Sequence, residues 1–458
     1  MSKTAPSVAA SPAGFTSDLA RCAAEVSLED VLDTHRQRVR HCLLDWLGVT
    51  IAGSVEDAAR IASDVALLER EAPRATVVGT QHRLGPQGAA LVNGTACHAL
   101  DYDDSSFWMT GHPSAAVVTA ALALGEARAA SGRDVTAAII AGHDVAARIG
   151  VAVGKDHYLR GWHATGTIGA FAAAAAAGRV VGLDAEAMER ALGLAATQAA
   201  GLKVSFGTMA KPLHAGRAAA SGVLAALLAE QGFTAGLGAI EAHQGFASTQ
   251  APGLDADRVE ELGGRRGIEG VLYKKHACCG GTHGAIDALQ RLRAANGFGP
   301  FEVESVEIQV SDQMFDICCI EEPMRGIEGK FSLRHVASLV IADRSTGPSG
   351  FTDQAVADPE LVALRRRVQV VSSGAPTGLE TIVRVSLRSG EELRVESEER
   401  RAATDDELPL EWETLCRKAR DLASPIVGDV AIAGLIDGVA HIDAELGVAD
   451  LLALTRPG

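Results

Sequence analysis

The first half of this chain repeats one pattern: an alanine-rich run with helical spacing, a short glycine-containing break, then another run. Between about Phe15 and Gly236, apolar residues recur every three or four positions, and glycine follows several runs, where a left-handed helix cap is needed. Hydrophobic residues make up 47% of the chain and aromatic residues only 4%, so Ala, Val and Leu must form most of the interior. Such small side chains suit closely packed helices, and the sequence predicts a mainly α fold.

The hydrophobic period changes in the second half of the chain. A glycine- and arginine-rich segment at 261–270 interrupts the helical pattern, and beyond it apolar and polar residues alternate at 306–310 and 383–395, as in half-buried strands. A run with helical spacing at 331–343 lies between them. We therefore expect a large all-helical domain formed by 15–268 with 405–458, a smaller α+β domain at 269–404, and a disordered tail at 1–14.

Charge and cysteine usage exclude several classes of partner and location. The 58 acidic residues outnumber the 42 basic ones, and the net charge of -16 repels nucleic acid and anionic membrane surfaces. The eight cysteines include two adjacent pairs that make a poor disulfide framework, which favours a reducing cytoplasm. The N-terminus lacks a signal-like segment, and the long uncharged runs are too weakly apolar for a bilayer span. We expect a cytoplasmic protein without nucleic-acid or membrane partners.

Residues 99–114 form an island of polar side chains in this apolar chain. Asp101, Ser105 and His112 lie there beside two further carboxylates, and aromatic side chains are interleaved with them. A solvated interhelical loop with aspartate N-caps is one interpretation of such a segment. Because the chain contains few aromatic residues, we expect this loop to be at least partly buried, and buried carboxylates are typical of sites that transfer protons.

Three further segments carry isolated imidazole, phenol, thiol and ammonium groups. They are 155–167 with Tyr158 and His163, 207–216 with Lys211 and His214, and 272–283 with Lys274 and Cys279. The first precedes a helix start whose free N–H groups could hold a carboxylate. In the second, we expect the proline after Lys211 to keep that lysine extended and to aim its ammonium away from the following helix. A buried core histidine and a surface lysine are the alternative interpretations.

The adjacent Cys278 and Cys279 suggest a metal site, but their spacing argues against one. Neighbouring side chains seldom point at one ion, and structural zinc sites usually leave two or more residues between such ligands. The sequence also lacks the signatures of phosphate-binding loops, dinucleotide-binding loops, serine hydrolases and zinc proteases. The pattern favours acid–base chemistry on a small anionic molecule, without a metal or other cofactor.

Taken together, these ordered motifs resemble the MmgE/PrpD family, which includes 2-methylcitrate dehydratase, cis-aconitate decarboxylase and iminodisuccinate epimerase. The resemblance rests on N-G-T-A-C-H-A-L-D-Y-D-D-S, G-H-P-S-A-A-V, G-K-D-H-Y-L-R-G-W-H-A-T-G-T, G-T-M-A-K-P-L-H-A-G, Y-K-K-H-A-C-C-G-G-T-H and G-I-E-G-K-F-S-L. It implies a large all-helical domain, a smaller α+β lid domain, a homodimer, no cofactor, and an active site in the cleft between the domains.

The resemblance also implies how the substrate is held. The ammonium groups of Lys211 and Lys274 would bind carboxylates and make the neighbouring C–H proton more acidic. His163 would take or return that proton close to neutral pH. Tyr158 and His214 would complete the substrate contacts.

The remaining implied roles concern the second proton transfer. Asp101 and Ser105 would orient His112, which would protonate a leaving hydroxyl or the opposite face of the carbanion. Cys279 is also assigned to catalysis. It stands where the decarboxylase carries a histidine, which argues against decarboxylation of cis-aconitate, and the epimerase-like members share this cysteine.

We therefore predict a cofactor-independent lyase that dehydrates a hydroxy di- or tricarboxylate such as 2-methylcitrate or citrate. Proton abstraction next to a carboxylate would start the reaction. Epimerisation of a dicarboxylate resembling iminodisuccinate is the alternative reaction. A non-catalytic helical binding protein is the alternative of another class.

Overall fold

The computed structural model describes residues 14–70, 72–398, 400–444 and 447–458. Helices account for 60% of the structure and strands for 9%, which confirms the prediction of a mainly α protein with a small sheet-containing part. The predicted tail lies outside the described residues, apart from Gly14.

The helices of the described chain are numbered in order. They are α1 Phe15–Ala24, α2 Asp33–Gly53, α3 Asp57–Leu67, α4 Pro86–Ala99, α5 Pro113–Ala127, α6 Gly132–Leu159, α7 Ala164–Val180, α8 Ala185–Ala196, α9 Ala210–Glu230, α10 Phe246–Gln250, α11 His283–Asn296, α12 Asp312–Cys318, α13 Gly326–Gly329, α14 Leu333–Ile341, α15 Asp353–Ala357, α16 Pro359–Arg365, α17 Leu408–Val427, α18 Asp429–Ala440 and α19 Val448–Ala453. The strands are β1 Ala75–Thr76, β2 Arg83–Leu84, β3 Ser105–Ser106, β4 Val271–Leu272, β5 Val303–Val310, β6 Val368–Ser372, β7 Ile382–Leu387 and β8 Glu392–Glu396.

Helix α7 lies at the centre of the larger hydrophobic core, packed against α5, α6 and α9. Its alanine-rich sequence lets the neighbouring backbones approach closely. A methyl group added at Gly222 of α9 would overlap Ala173 of α7. Buried apolar residues of this core come from 19–271 and again from 415–452, so the C-terminal helices return to the helical part of the molecule.

Helix α6 is long and apolar enough to cross a membrane by length and composition alone. However, 89% of its most apolar 18-residue window is buried inside the protein. The helix begins with a capping box, in which the Ser131 side chain accepts from the backbone of Asp134 and the Asp134 carboxylate accepts from the backbone of Ser131. Its hydropathy is therefore explained by its place in the core, against α7.

A second hydrophobic core, formed within 277–387, surrounds a four-stranded sheet of order β6-β5-β7-β8. Strands β5 and β6 are parallel, whereas β5–β7 and β7–β8 are antiparallel. The alternation at 306–310 and 383–395 thus correctly predicted β5 and the β7–β8 hairpin, and the run at 331–343 correctly predicted α14. Strand β6 was not predicted.

Candidate active site

A cavity of about 670 Å³ lies between the two hydrophobic cores and is lined by residues of both. Most of the site residues proposed from the sequence line it: Ser105, His112, Tyr158, His163, Lys211, Lys274 and Cys279. Asp101 and His214 lie immediately behind its wall, where Asp101 contacts Lys211 and His214 contacts His163. The structure therefore brings distant polar segments of the sequence together around one space.

Helix ends place these side chains. His112 is the N-cap residue of α5, His163 is the N-cap residue of α7, and Lys211 lies in the first turn of α9. Helix N-termini carry partial positive charge and free N–H groups, so their convergence favours an anion in the cavity. The short antiparallel pair β3–β4, in which Ser105 lies opposite Leu272, ties the 101–112 loop to the segment that carries Lys274.

Lys211 does not precede α9 as the sequence analysis expected. The helix begins at Ala210, so Lys211 and Pro212 both lie in its first turn. The expectation was wrong because proline is tolerated in the first turn, where its missing N–H has no helical partner to lose. The lysine side chain is 6% exposed and rests over the rings of Phe206 and Phe331.

Asp101 holds two ammonium groups inside the protein. Its Oδ1 atom lies 2.5 Å from Nζ of Lys274, and its Oδ2 atom lies 2.8 Å from Nζ of Lys211. Burial by itself raises the pKa of the Asp101 carboxyl, but the charges of Lys211 and Lys274 outweigh burial and hold that pKa well below its usual value. Asp101 is therefore ionised and neutralises one of the two positive charges.

Lys274 has no hydrogen left to donate to a substrate. Its side chain is fully buried, and its Nζ atom donates to Oδ1 of Asp101, to the carbonyl of Asp101 at 2.9 Å and to the carbonyl of Cys278 at 3.1 Å. An ammonium has three N–H donors, so all three are used. The direct substrate contact expected of Lys274 does not fit this geometry. Lys274 supplies positive charge and holds Asp101 in place.

Four histidines cluster beside this ion triad, and burial keeps their rings neutral. The ring centroid of His98 lies 4.5 Å from that of His112 and 5.7 Å from that of His163, and His163 lies 5.3 Å from His214. Burial lowers the pKa of all four rings: that of His214 falls to about 4, and those of His112 and His163 lie well below the usual value. Neutral imidazoles can accept protons at neutral pH.

The backbone fixes the tautomer of His112. Its Nδ1 atom lies 2.6 Å from the carbonyl oxygen of Asp104, which can only accept, so Nδ1 carries the hydrogen and Nε2 is the acceptor. The nearest carboxylate to Nδ1 is that of Asp103, at 3.4 Å. The family resemblance implied that Asp101 and Ser105 orient His112. In the structure the carboxylate of Asp101 is instead bound by the two lysines, and Nδ1 of His112 is held by the Asp104 carbonyl.

His163 is oriented by another histidine. Its Nδ1 atom lies 3.0 Å from Nδ1 of His214, so one ring donates and the other accepts. The ring of His163 also forms a T-shaped contact with that of Phe206, with centroids 5.0 Å apart. When His163 donates to His214, its Nε2 atom is an acceptor. When His214 donates to His163 instead, the hydrogen of His163 is on Nε2, which is then a donor.

Cys279 brings a thiol from the sheet-containing part into the cavity. A hydrogen bond from the buried Cys318 thiol, helped by the charges of Lys211 and Lys274, lowers the pKa of Cys279 to about 7 despite burial. Its backbone N–H donates to the carbonyl of Lys330 at 3.0 Å. Close to neutral pH this group exists both as thiol and as thiolate, so it can give or take a proton.

Among the residues that the structure describes, two groups have donor atoms close enough to share a metal ion. One consists of His98, Asp101, Asp103 and His112, with ligand atoms within 4.8 Å of one another. A cation there would face the two ammonium groups that Asp101 already binds, and Nδ1 of His98 already donates to Asp103 at 2.9 Å. This group therefore fits a cation poorly.

The other group, Cys42, Asp104 and His143, is fully buried. Burial raises the pKa of Asp104 to about 8 and raises that of Cys42 well above its usual value. Both groups are therefore mainly neutral at pH 7, whereas metal ligands of these types must be deprotonated. Ser114 already bridges the carboxyl of Asp104 and Nε2 of His143.

Four polar residues of the site were not among those predicted from the sequence: His98, Asp103, Gln313 and Arg400. His98 lies three positions before Asp101 in a quoted motif, so its place beside the polar island was a usable signal. Gln313 and Arg400 line the cavity. Arg400 lies within a charged run that is typical of solvated surface, and the pattern therefore offered no signal for it.

Comparison with known proteins agrees with the motifs. The model of the MmgE/PrpD N-terminal domain matches residues 17–258, and that of the MmgE/PrpD C-terminal domain matches 276–440. Cis-aconitate decarboxylase of Aspergillus terreus is 28% identical over 484 residues, covering 96% of each chain. Human cis-aconitate decarboxylase is 27% identical over 348 residues, covering 73% of this chain and 72% of the human protein. As its motifs predicted, the chain belongs to the MmgE/PrpD family.

Proposed function

We propose that this protein is a lyase that acts on a small di- or tricarboxylate by moving a proton at a carbon next to a carboxylate. The observation that carries this proposal is the cavity between the cores, where a buried Lys–Asp–Lys triad lies beside neutral imidazoles and a thiol of pKa about 7. Similarity to proteins named cis-aconitate decarboxylase over 96% of the chain supports the lyase class.

The residues of the cavity provide the chemical groups that such a reaction needs. Lys211 faces the cavity with one carboxylate contact, so it has N–H groups left for a substrate carboxylate. Positive charge at that carboxylate stabilises the negative charge that develops on the adjacent carbon. His112, whose Nε2 atom is an acceptor, can take the proton from that carbon. This assignment exchanges the roles that the sequence analysis gave to His112 and His163.

Within the lyases, we propose dehydration of a hydroxy di- or tricarboxylate. Breaking the C–H bond delivers one proton to His112, and breaking the C–O bond releases hydroxide, which must be protonated to leave as water. His163, in the tautomer that places a hydrogen on Nε2, and the Cys279 thiol are two donors in the cavity that could supply this proton. Dehydration thus uses a base and an acid that the cavity contains.

One observation favours epimerisation as a second candidate. Epimerisation at a carboxylate-bearing carbon needs two groups that each exchange a proton, and Cys279 can do so close to neutral pH. Cys279 belongs to the sheet-containing core, whereas His112 and His163 belong to the helical part. Protons could therefore reach the substrate from two separate structural units.

A substrate screen in deuterium oxide tests these proposals. The protein is incubated with citrate, 2-methylcitrate, cis-aconitate, malate and aspartate-like acids. Deuterium uptake is read by mass spectrometry, alkene formation by ultraviolet absorbance, inversion by chiral chromatography, and carbon dioxide release by gas analysis. Dehydration requires an alkene to form from a hydroxy acid together with loss of the C–H hydrogen. His112→Ala should lose this activity, and the exposed His441→Ala is the matched control.

Each other outcome selects a different function. Inversion with deuterium uptake and without an alkene would replace dehydration by epimerisation. Carbon dioxide release from cis-aconitate alone would replace dehydration by decarboxylation, the activity that the relatives' names describe. A complete lack of exchange, alkene, inversion and carbon dioxide across the panel would reject the enzyme and favour a binding protein.

A further inference from the structure

Arg400 places a cationic group in the cavity wall in addition to the lysines of the Lys–Asp–Lys triad. It follows the β7–β8 hairpin and lines the same cavity as Lys211 and Cys279. Its Nη1 atom donates to the carbonyl of Gly280 at 3.3 Å. A methyl group at Gly280 would lie 3.5 Å from the same nitrogen, so the guanidinium rests directly on this glycine.

The charge of Arg400 has no carboxylate partner among the residues that the structure describes. The next residue, Arg401, is instead paired with Glu407, and Glu398, two positions before Arg400, is paired with Arg291. Burial lowers the pKa of Arg400, which means that the surroundings disfavour its charge, and Asp287 only partly offsets this effect. Asp287 itself is bound to His276 at 3.1 Å. A buried guanidinium without a carboxylate partner is stabilised when a ligand places an anion beside it.

Arg400 and Lys274 hold the chain on the two sides of Cys279. Lys274 donates to the carbonyl of Cys278 at 3.1 Å, and Arg400 donates to the carbonyl of Gly280 at 3.3 Å. These carbonyls belong to residues two positions apart, which span at most about 7 Å. One ligand can therefore meet positive charge on both sides of the Cys279 thiol.

Lys274 and Arg400 differ in the number of N–H donors that remain for a ligand. Lys274 has donated all three of its hydrogens within the protein, as described above. Arg400 has five N–H donors, of which one has a protein acceptor among the described residues. The carboxylates that line the cavity, Glu380, Glu396 and Glu398, are exposed to solvent, where water screens them.

We propose that Arg400 binds a substrate carboxylate remote from the reacting carbon, so that the preferred substrates carry a carboxylate beyond the one held by Lys211. Arg400 acts as a specificity determinant that selects tricarboxylates over short dicarboxylates. This inference rests on the proposed function, because both concern the same cavity and the same class of acid.

Calorimetric titration with two unreactive acids tests this role. Propane-1,2,3-tricarboxylate carries the additional carboxylate, and succinate is the short dicarboxylate. We expect Arg400→Gln to weaken binding of the tricarboxylate about 10- to 100-fold, because one charge-assisted pair is lost, and to change succinate binding less than about 3-fold. Arg400→Lys should give an intermediate, equally selective loss, because an ammonium does not form the bidentate pair.

Arg401→Gln is the matched control, since Arg401 is the next residue and is exposed. It should bind both acids as the wild type does. Equal loss of both acids in Arg400→Gln, or wild-type binding of the tricarboxylate, would overturn the role of Arg400. If Arg400→Gln does not fold, the same comparison of tricarboxylate and succinate binding is made with Arg400→Lys. A wild-type protein that binds neither acid and exchanges no deuterium would instead reject the proposed function.

Discussion

Asp101 shows how single charges are balanced at the site. Its one negative charge lies between the positive charges of Lys211 and Lys274, and all three side chains are almost completely buried. A charge removed from water needs a partner, and here the partners are 110 and 173 positions away in sequence. The triad itself carries one positive charge in excess, and its Lys211 lines the cavity, where it can bind an anion despite the net charge of -16 of the whole chain.

Replacing this carboxylate should be costly. Asp101→Asn removes the ion-pair partner that two buried ammonium groups share, and we expect it to lower the free energy of unfolding by about 3–5 kcal/mol. Urea denaturation measures the change. Asp57→Asn removes an exposed partner of Arg60 and should cost less than about 1 kcal/mol. Equal costs for the two variants would show that the triad does not stabilise the fold.

Variants of a proton-transfer residue and of a substrate-binding residue should affect different kinetic constants. His163→Ala is expected to abolish turnover while the melting temperature is kept, because a proton-transfer group is removed; such groups contribute at least about 100-fold. Lys211→Met should mainly raise KM, because it removes a carboxylate contact. Steady-state kinetics on the acid found in the deuterium screen measures both effects. Wild-type turnover by His163→Ala would refute its role.

The pKa of Cys279 predicts how its reactivity depends on pH. The thiolate is the form that reacts with iodoacetamide, and its fraction rises as pH increases through the pKa of about 7. The alkylation rate at Cys279 should therefore rise with a midpoint close to pH 7, and succinate or citrate should protect the thiol. Mass spectrometry after timed labelling follows this site. A midpoint near the ordinary value of 9.0 would contradict the proposed effect of Cys318 and the lysines.

At the scale of elements, close helix packing positions the site. Asp101 follows α4, Lys211 lies in α9, and these helices meet at glycines. A methyl group at Gly216 of α9 would overlap the carbonyl oxygen of Leu91 in α4. The spacing of Ala and Gly along both helices was visible in the sequence and predicted helices that pack closely. Which two helices meet was not visible, because many alanine-rich faces are interchangeable.

A methyl group at this contact should disturb stability and activity together. Gly216→Ala forces α4 and α9 apart, and we expect it to lower the free energy of unfolding by about 1–3 kcal/mol. It should also reduce turnover, because Asp101 and Lys211 would separate. Gly236→Ala, where a methyl group would meet open space, should change stability by less than about 0.5 kcal/mol. Urea denaturation and kinetics on both variants test the contact, and unchanged behaviour of Gly216→Ala would argue against it.

At the scale of the whole molecule, the C-terminal helices connect the site to the N-terminal part. Helix α17 packs against α2, and its Lys418 lies 2.7 Å from Oδ1 of Asp45. The same ammonium donates to the carbonyls of Tyr102 at 2.7 Å and Lys274 at 3.2 Å. One side chain thus joins α2, α17 and the two loops that carry Asp101 and Lys274.

Removing this ammonium should weaken the whole fold. Lys418→Met leaves the buried carboxylate of Asp45 unpaired, and we expect a loss of about 3–5 kcal/mol in the free energy of unfolding. The double variant Asp45→Asn with Lys418→Met should recover part of this loss, because no buried charge remains without a partner. Urea denaturation of the single and double variants gives the comparison. A double variant as unstable as the sum of its singles would contradict a direct pairing.

The amino-acid sequence by itself determined the helical class, the strands at 306–310 and 383–395, and the segments that carry the chemistry. Each of these depends on residues close together in the chain, through apolar period, turn residues and short motifs. Only the tertiary structure decided the partners. Asp101 pairs with lysines rather than with His112, the hydrogens of Lys274 are all used within the protein, and Arg400 reaches the cavity. Those contacts depend on how distant elements pack, and local pattern does not encode the distance between residues far apart in sequence.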